Sequence, residues 1–244
     1  MDERLKRRQH RDYESKDMLD TLLNITEDKS EEINRDQIKH LLLDLFAAGT
    51  DTTSSTLEWA MAELIHNPET LSKARLELEQ VIGKGNQIEE SDVSRLPYLQ
   101  AVVKETLRLH SPIPLLLPRK SSSDVEICGY RIPDGAQVLV NAWAIGRDGS
   151  TWDNPNSFVP ERFLGLDVDI KGRNFEVIPF GSGRRVCPGL PLAIRMLYLM
   201  LGSLVHSFGW KLEGGLKPEM MDMDDKFGIT LQRAQPLRAV PVAL

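Results

Sequence analysis

The 244-residue sequence predicts a mainly α protein with a small β part. Three observations carry that expectation. The first half holds apolar residues at helical spacing broken only at prolines, a short central region switches to strand-like segments around Gly and Pro, and a long apolar helix follows a glycine-rich turn. With 41% hydrophobic and 27% charged residues the chain can bury a sizeable core. Its net charge of -6 gives no general attraction to nucleic acid, so no nucleic-acid partner is expected.

In chain order, Asn34 or Asp36 caps a helix whose pattern runs through Ile38, Leu41, Leu42, Leu45 and Phe46 to His66, just ahead of Asn67-Pro68. That helix, about 35–66, is about three times the usual length. Pro68 opens a second helix towards Val81, closed by Gly83 and Gly85, and a third spans about 97–110 before Pro112. A small sheet is expected over about 125–144, from Val125–Ile127, Tyr130–Ile132 and Gln137–Asn141. The stretch Arg147 to Pro179 is irregular and too long for an ordinary connection. Then come a glycine-rich turn over 179–189, an apolar helix over about 190–208 and a β-like tail. Pro191 and Arg195 interrupt the apolar run, which reads as a buried core helix rather than a membrane span. The first dozen residues are charged and helix-like, unlike a signal peptide.

Only two cysteines are present, Cys128 and Cys187, far apart, so neither a disulfide framework nor a multi-cysteine zinc site is encoded. His10, His40, His66, His110 and His206 form no metal-ligand spacing, and Cys128, beside Gly129 in a strand, reads as structural. Cys187 stands apart. It sits in a tight turn at the amino end of a helix, where unpaired backbone amides and the helix dipole favour a thiolate. Alone it would read as a buried structural cysteine, because free cysteine is usually a small hydrophobe.

The whole string Pro179-Phe-Gly-Ser-Gly-Arg-Arg-Val-Cys-Pro-Gly189 resembles the haem-binding loop of the cytochrome P-450 family through Phe180, Gly183, Arg185, Cys187 and Gly189. The resemblance implies that Cys187 is the axial thiolate of a haem b iron, that Phe180 packs beside the sulfur, and that Arg185 pairs with a propionate. A thiolate ligand pushes electron density onto iron and favours O–O cleavage.

Other segments resemble the same family. Glu105-Thr-Leu-Arg108 would alone be an exposed helix pair contributing about 0.2–0.5 kcal/mol. Beside the cysteine loop it looks like the family's Glu-x-x-Arg, with Arg162 of Pro160-Glu-Arg-Phe163 as third member of a buried structural network. Between Gly49 and Thr56 the long helix carries six hydroxyl residues broken only by Asp51, a poor helix former. The plain reading is a loosened helix whose hydroxyls bond back to carbonyls. Ala48-Gly-Thr-Asp-Thr52, however, is similar to the family's oxygen-activation motif. It implies a helix crossing the distal haem face, kinked near Gly49, with Thr52 bonding dioxygen, Asp51 feeding protons through water, and Ala48 facing substrate. The proline-rich connector Ser111 to Arg119 would alone be a buried extended link. By resemblance Ile113, Leu116 and Leu117 face the substrate cavity and Arg119 reaches a propionate. Phe227-Gly228-Ile229 resembles the last substrate-contacting turn.

The resemblance runs from about Asp36 to the end and covers the carboxyl-terminal half of the family's fold. Its finer wording, such as Ala-Ala-Gly-Thr-Asp-Thr-Thr-Ser-Ser-Thr-Leu-Glu-Trp-Ala, is similar to plant microsomal members of the geraniol-hydroxylase-like group. The implied activity is insertion of one atom of O2 into a C–H bond of a small apolar substrate such as a terpenoid. Electrons would come from an NADPH-dependent reductase at the cytosolic face of the endoplasmic reticulum membrane. The expected domain is a partial one over 1–244, with the amino-terminal half and membrane anchor missing. The alternative expectation is a catalytically silent fragment with weak or no haem binding, since half a pocket excludes water poorly.

Overall fold

The structure, a computed structural model, describes residues 2–8, 17–27, 33–166 and 168–244, so His10 lies outside the described residues. It divides into two compact units, Met1–Ala48 and Gly49–Leu244.

The first unit contains α1 (Asp2–Arg8), α2 (Met18–Glu27) and the start of α3 (Arg35–His66). Arg4 reaches Asp17 at 2.7 Å and the fully buried Asp20 at 2.9 Å. Of the two candidate caps for α3, Asn34 is the one used. Its Oδ1 accepts from the amides of Asp36 (3.0 Å) and Gln37 (2.9 Å), and Gln37 Oε1 accepts the Asn34 amide in return (2.7 Å).

In the second unit, α3 ends at His66, and Pro68, which lacks an N–H, sits at the first turn of α4 (Pro68–Ile82). α5 (Pro97–Leu109) opens the same way. α4, α5 and α7 (Leu190–Ser207) bury Leu78, Val102 and Leu201 together as the centre of the core. Gly202 permits their close approach: a Cβ there would lie 2.6 Å from Ile88 Cδ1 and 3.1 Å from Leu99 Cδ2. α7 differs from the expectation of a helix buried all round. Leu197, Tyr198, Leu201 and Val205 face the core, whereas Leu192, Met196 and Met200 are exposed at fourfold spacing. Among the described residues it is the one helix long and apolar enough to cross a membrane, with mean hydropathy 1.4 over 18 residues.

The β part is dispersed rather than one sheet. β1 (Arg119–Lys120) pairs with β4 (Gln137–Val138), and β2 (Val125–Ile127) pairs with β3 (Tyr130–Ile132), each as a separate antiparallel ladder. Cys128 (φ 50°) and Gly129 (φ 81°) form the two-residue turn between β2 and β3, the positive-φ geometry that matches strand twist. α6 (Ala142–Ile145) follows, then the irregular stretch, in which Trp152 and Phe163 insert into the core with ring centroids 5.6 Å apart. β5 (Phe208–Leu212) pairs with β8 (Ala239–Ala243), and β6 (Asp225–Lys226) with β7 (Gln232–Arg233).

Candidate functional site

The Cys187 turn is built from short backbone bonds. Gly181 and Gly183, both at φ 69°, reverse the chain, and Gly183–Arg185 makes one turn of 3-10 helix. The Cys187 amide donates to Phe180 O at 3.0 Å, and Cys187 O accepts from the Leu190 amide at 3.3 Å, which seats the thiol three residues ahead of α7. Behind the turn, Ser182 Oγ donates to Gly172 O at 2.9 Å. Cys187 is half-buried, Phe180 packs against the core, and Gly183, Arg185 and Arg119 are exposed. Gly189 lies against the sulfur: a Cβ there would be 3.8 Å from Sγ.

The connector meets this turn. Leu116 Cδ1 lies 3.7 Å from the position a Cβ on Gly181 would take, and Leu116 itself has φ 50°, a conformation a bulky L residue adopts only under constraint. Trp143 and Val140 amides donate to Pro114 O (3.1 Å) and Leu115 O (3.3 Å), holding the connector against the segment that leads into α6. Ile113 and Leu116 are half-buried, and Leu117 is 71% exposed. Phe227, 69% exposed, also stands open. On α3, Ala48 and Asp51 are exposed and Thr52 is half-buried, all within an unbroken helical assignment.

Glu105, Arg108 and Arg162 are brought together. Glu105, fully buried, takes Arg108 in a bidentate pair, Nε at 2.7 Å and Nη2 at 2.8 Å, and also accepts Arg162 Nε at 3.0 Å and the Val159 amide at 2.8 Å. Both oxygens of the carboxylate accept, Oε1 from three donors and Oε2 from Arg108 Nε, which is what lets the charge stay buried. Arg108 extends the network to the carbonyls of Gly146, Pro155 (2.7 Å) and Ser157 (3.2 Å), and Arg162 to those of Asp153 and Asn154 (2.9 Å). One side chain of α5 thus organises backbone that has no ladder of its own.

A second buried polar group was not singled out in the sequence. His110 Nε2 lies 2.7 Å from Glu63 Oε1 on α3, and the imidazole stacks on Trp59. In the sequence His110 is only one of five histidines without metal-ligand spacing; its position at the end of the Glu-x-x-Arg helix is the available signal.

Among the described residues no group of three or more His, Cys, Asp or Glu could hold a metal ion. A metal taken by Cys187 must therefore bring its other ligands with it, as a porphyrin does. The surroundings fit such a group: a single half-buried sulfur, open space over Gly183 where a Cβ would meet nothing within 4 Å, an apolar side chain at Leu116, and the guanidinium of Arg185 in the same turn for a carboxylate.

Comparison with known proteins follows the same line. A family model described as Cytochrome P450 matches residues 1–237. Geraniol 8-hydroxylase of Catharanthus roseus is 60% identical over 244 residues, covering 100% of this chain and 49% of that protein. Drimenol monooxygenase of Persicaria hydropiper is 59% identical over 231 residues, covering 95% and 46%. The chain spans about half the length of the curated relatives it matches. A zebrafish cytochrome P450 structure with progesterone superposes with a TM-score of 0.81 at 33% identity, covering 93% of this chain and 52% of that one.

Proposed function

Because the chain belongs to the cytochrome P450 family, we propose that it forms the haem-bearing part of a monooxygenase that inserts one atom of O2 into a C–H bond of a small apolar substrate, with electrons from NADPH delivered by a partner reductase. The observation that carries this reading is the Cys187 turn, a thiol without a co-ligand cluster among the described residues, set beside open glycine space and the constrained Leu116. A terpenoid substrate is supported by the relatives whose names specify geraniol and drimenol. The cytosolic face of the endoplasmic reticulum membrane is the proposed location of the complete protein.

Haem b ligated by thiolate supplies the electron-rich iron that activates dioxygen. The chain's own residues do the rest. Cys187 is held in place by the hydrogen bond from its backbone amide to Phe180 O, and the Phe180 ring is assigned to the side of the sulfur. Arg185 and Arg119 bind the propionates as exposed cations, and Gly183 and Gly189 leave room for a flat face. Asp51 and Thr52 hold and pass protons to oxygen. Ala48, Ile113, Leu116, Leu117 and Phe227 orient an apolar substrate and exclude water. Glu105, Arg108 and Arg162 position the irregular stretch behind the site.

The test is a reduced carbon monoxide difference spectrum of the purified chain expressed with haem supplementation, alongside Cys187→Ser. A thiolate-type Soret band in the chain, absent in the variant, is the expected result. A second reading, a chain that alone binds haem weakly and is catalytically silent, is supported by the apolar side chains open along α7. No band in the chain, with one restored when the amino-terminal half of a relative is supplied, would select that reading.

A further inference from the structure

The hydroxyl run on α3 is not uniform. Ser54 Oγ donates to Thr50 O at 2.9 Å and Thr56 Oγ1 to Thr52 O at 2.8 Å, both back-bonds within the helix. Ser55 does something else. Buried, it donates to Leu231 O at 2.9 Å, 176 residues away, and the Leu231 amide in turn donates to Pro112 O at 2.8 Å. One residue of the carboxyl-terminal segment thereby joins α3 to the connector that carries Ile113 and Leu116. Helix stability does not account for the serine, because alanine is the better helix former.

Two neighbouring contacts hold the same segment. Glu58 accepts the Leu237 amide at 2.7 Å, and the Arg233 guanidinium lies 5.0 Å from the centre of the Trp59 ring. Residues 222–237 therefore form a strap fastened to one face of α3 at Ser55, Glu58 and Trp59, with the β6–β7 hairpin presenting Phe227 and Ile229 (86% exposed) at its tip. Ser55 lies one helical turn beyond Thr52, on the same side of α3.

We infer that Ser55 is a positioning residue whose hydroxyl fixes the Phe227–Ile229 turn and the Ser111–Arg119 connector relative to α3, and so decides which carbon of a bound substrate is presented. The inference rests on the functional reading above. The hydroxyl does not touch substrate; it acts through Leu231, and losing it leaves a buried carbonyl without its donor.

Hydrogen exchange of the chain, which needs no haem, reads the tie directly. In Ser55→Ala the amides of Ile113, Leu115–Leu117 and 227–233 are expected to exchange about five- to tenfold faster, the loss of about one net hydrogen bond. Ser55→Thr should restore protection, and Ser55→Cys, a weaker donor, should fall between. In the haem-loaded protein with geraniol as probe, Ser55→Ala should weaken the substrate-induced spectral shift several-fold and broaden the set of oxidised positions, with Ser55→Thr recovering both. Unchanged exchange would overturn the tie. Faster exchange with geraniol binding and product positions unchanged would reduce Ser55 to a structural role and overturn the proposal. Absence of the thiolate band in the unsubstituted protein would overturn the functional reading on which it rests, and the haem-independent exchange result tells the two failures apart.

Discussion

The imidazole of His110 lies flat on the indole of Trp59, with ring centroids 3.7 Å apart and planes 8° from parallel. With its proton on Nε2 the ring donates to Glu63, whose other oxygen accepts from Asn67 Nδ2 at 3.0 Å. Burial holds His110 below the ordinary imidazole range, opposed by Glu63, reinforced by Arg147 and opposed again by Asp225. Arg147 is itself pushed down to about 10 by burial and by the neighbouring Arg108.

A depressed histidine makes stability depend on pH in a definite direction. Above the unfolded value of 6.5 both states are neutral and nothing is lost; below it the unfolded chain gains a proton that the folded one resists, so stability falls as pH falls through 6.5. The thermal midpoint should therefore drop between about pH 7.5 and 5.5, and His110→Gln, which keeps a donor for Glu63 but cannot be protonated, should flatten that slope. An unchanged slope in the variant would assign the effect to other groups.

Glu105→Ala leaves two guanidiniums, one fully buried, without their shared carboxylate. A loss of about 3–5 kcal/mol is expected, enough to abolish soluble folded protein. Glu105→Gln should be milder, since it still accepts the Val159 amide. A soluble alanine variant with an ordinary unfolding transition would show that the network is dispensable.

Gly172 backs the Cys187 turn at φ 81°, and a Cβ there would lie 2.7 Å from Gly181 O and 3.2 Å from Ser182 Cα. Both neighbours are backbone and cannot rotate away. Gly172→Ala should cost about 1–3 kcal/mol, lowering the urea midpoint and accelerating haem loss. Retention of both would mean the turn is free to shift.

Thr52→Ala in the reductase-coupled enzyme should leave NADPH consumption largely intact while hydroxylated product falls about tenfold or more and peroxide rises, because proton delivery fails rather than oxygen uptake. Measuring all three rates on one preparation checks this. Tight coupling in the variant would remove Thr52 from proton transfer.

What the sequence disclosed is what has local spacing. The cap at Asn34 or Asp36, the helix entries at Pro68 and Pro97 and the pair of Glu105 with Arg108 each declare themselves within four positions, because capping, helix entry and helical pairing are short-range rules. The two-residue strand β1 was illegible, since two residues cannot show a period of two and Arg119 read as the end of the connector, whereas its partner β4 lies within the expected strand Gln137–Asn141. Ser55 was visible only as one of six hydroxyls, and Glu63 and His110 lie 47 residues apart. Their partners are set by how helices cross, which no local pattern encodes.

The strap's fastenings have a kinetic consequence. Ser55 to Leu231 and Glu58 to Leu237 close loops of 176 and 179 residues, whereas α4 and α5 are near neighbours in sequence. Long closures lose more chain entropy before they return any contact energy. The strap is therefore expected to dock late in folding and to open before the α4–α5 core does. A protease should therefore cut within 222–237 before the core gives way, leaving Ala239–Ala243 still paired with β5.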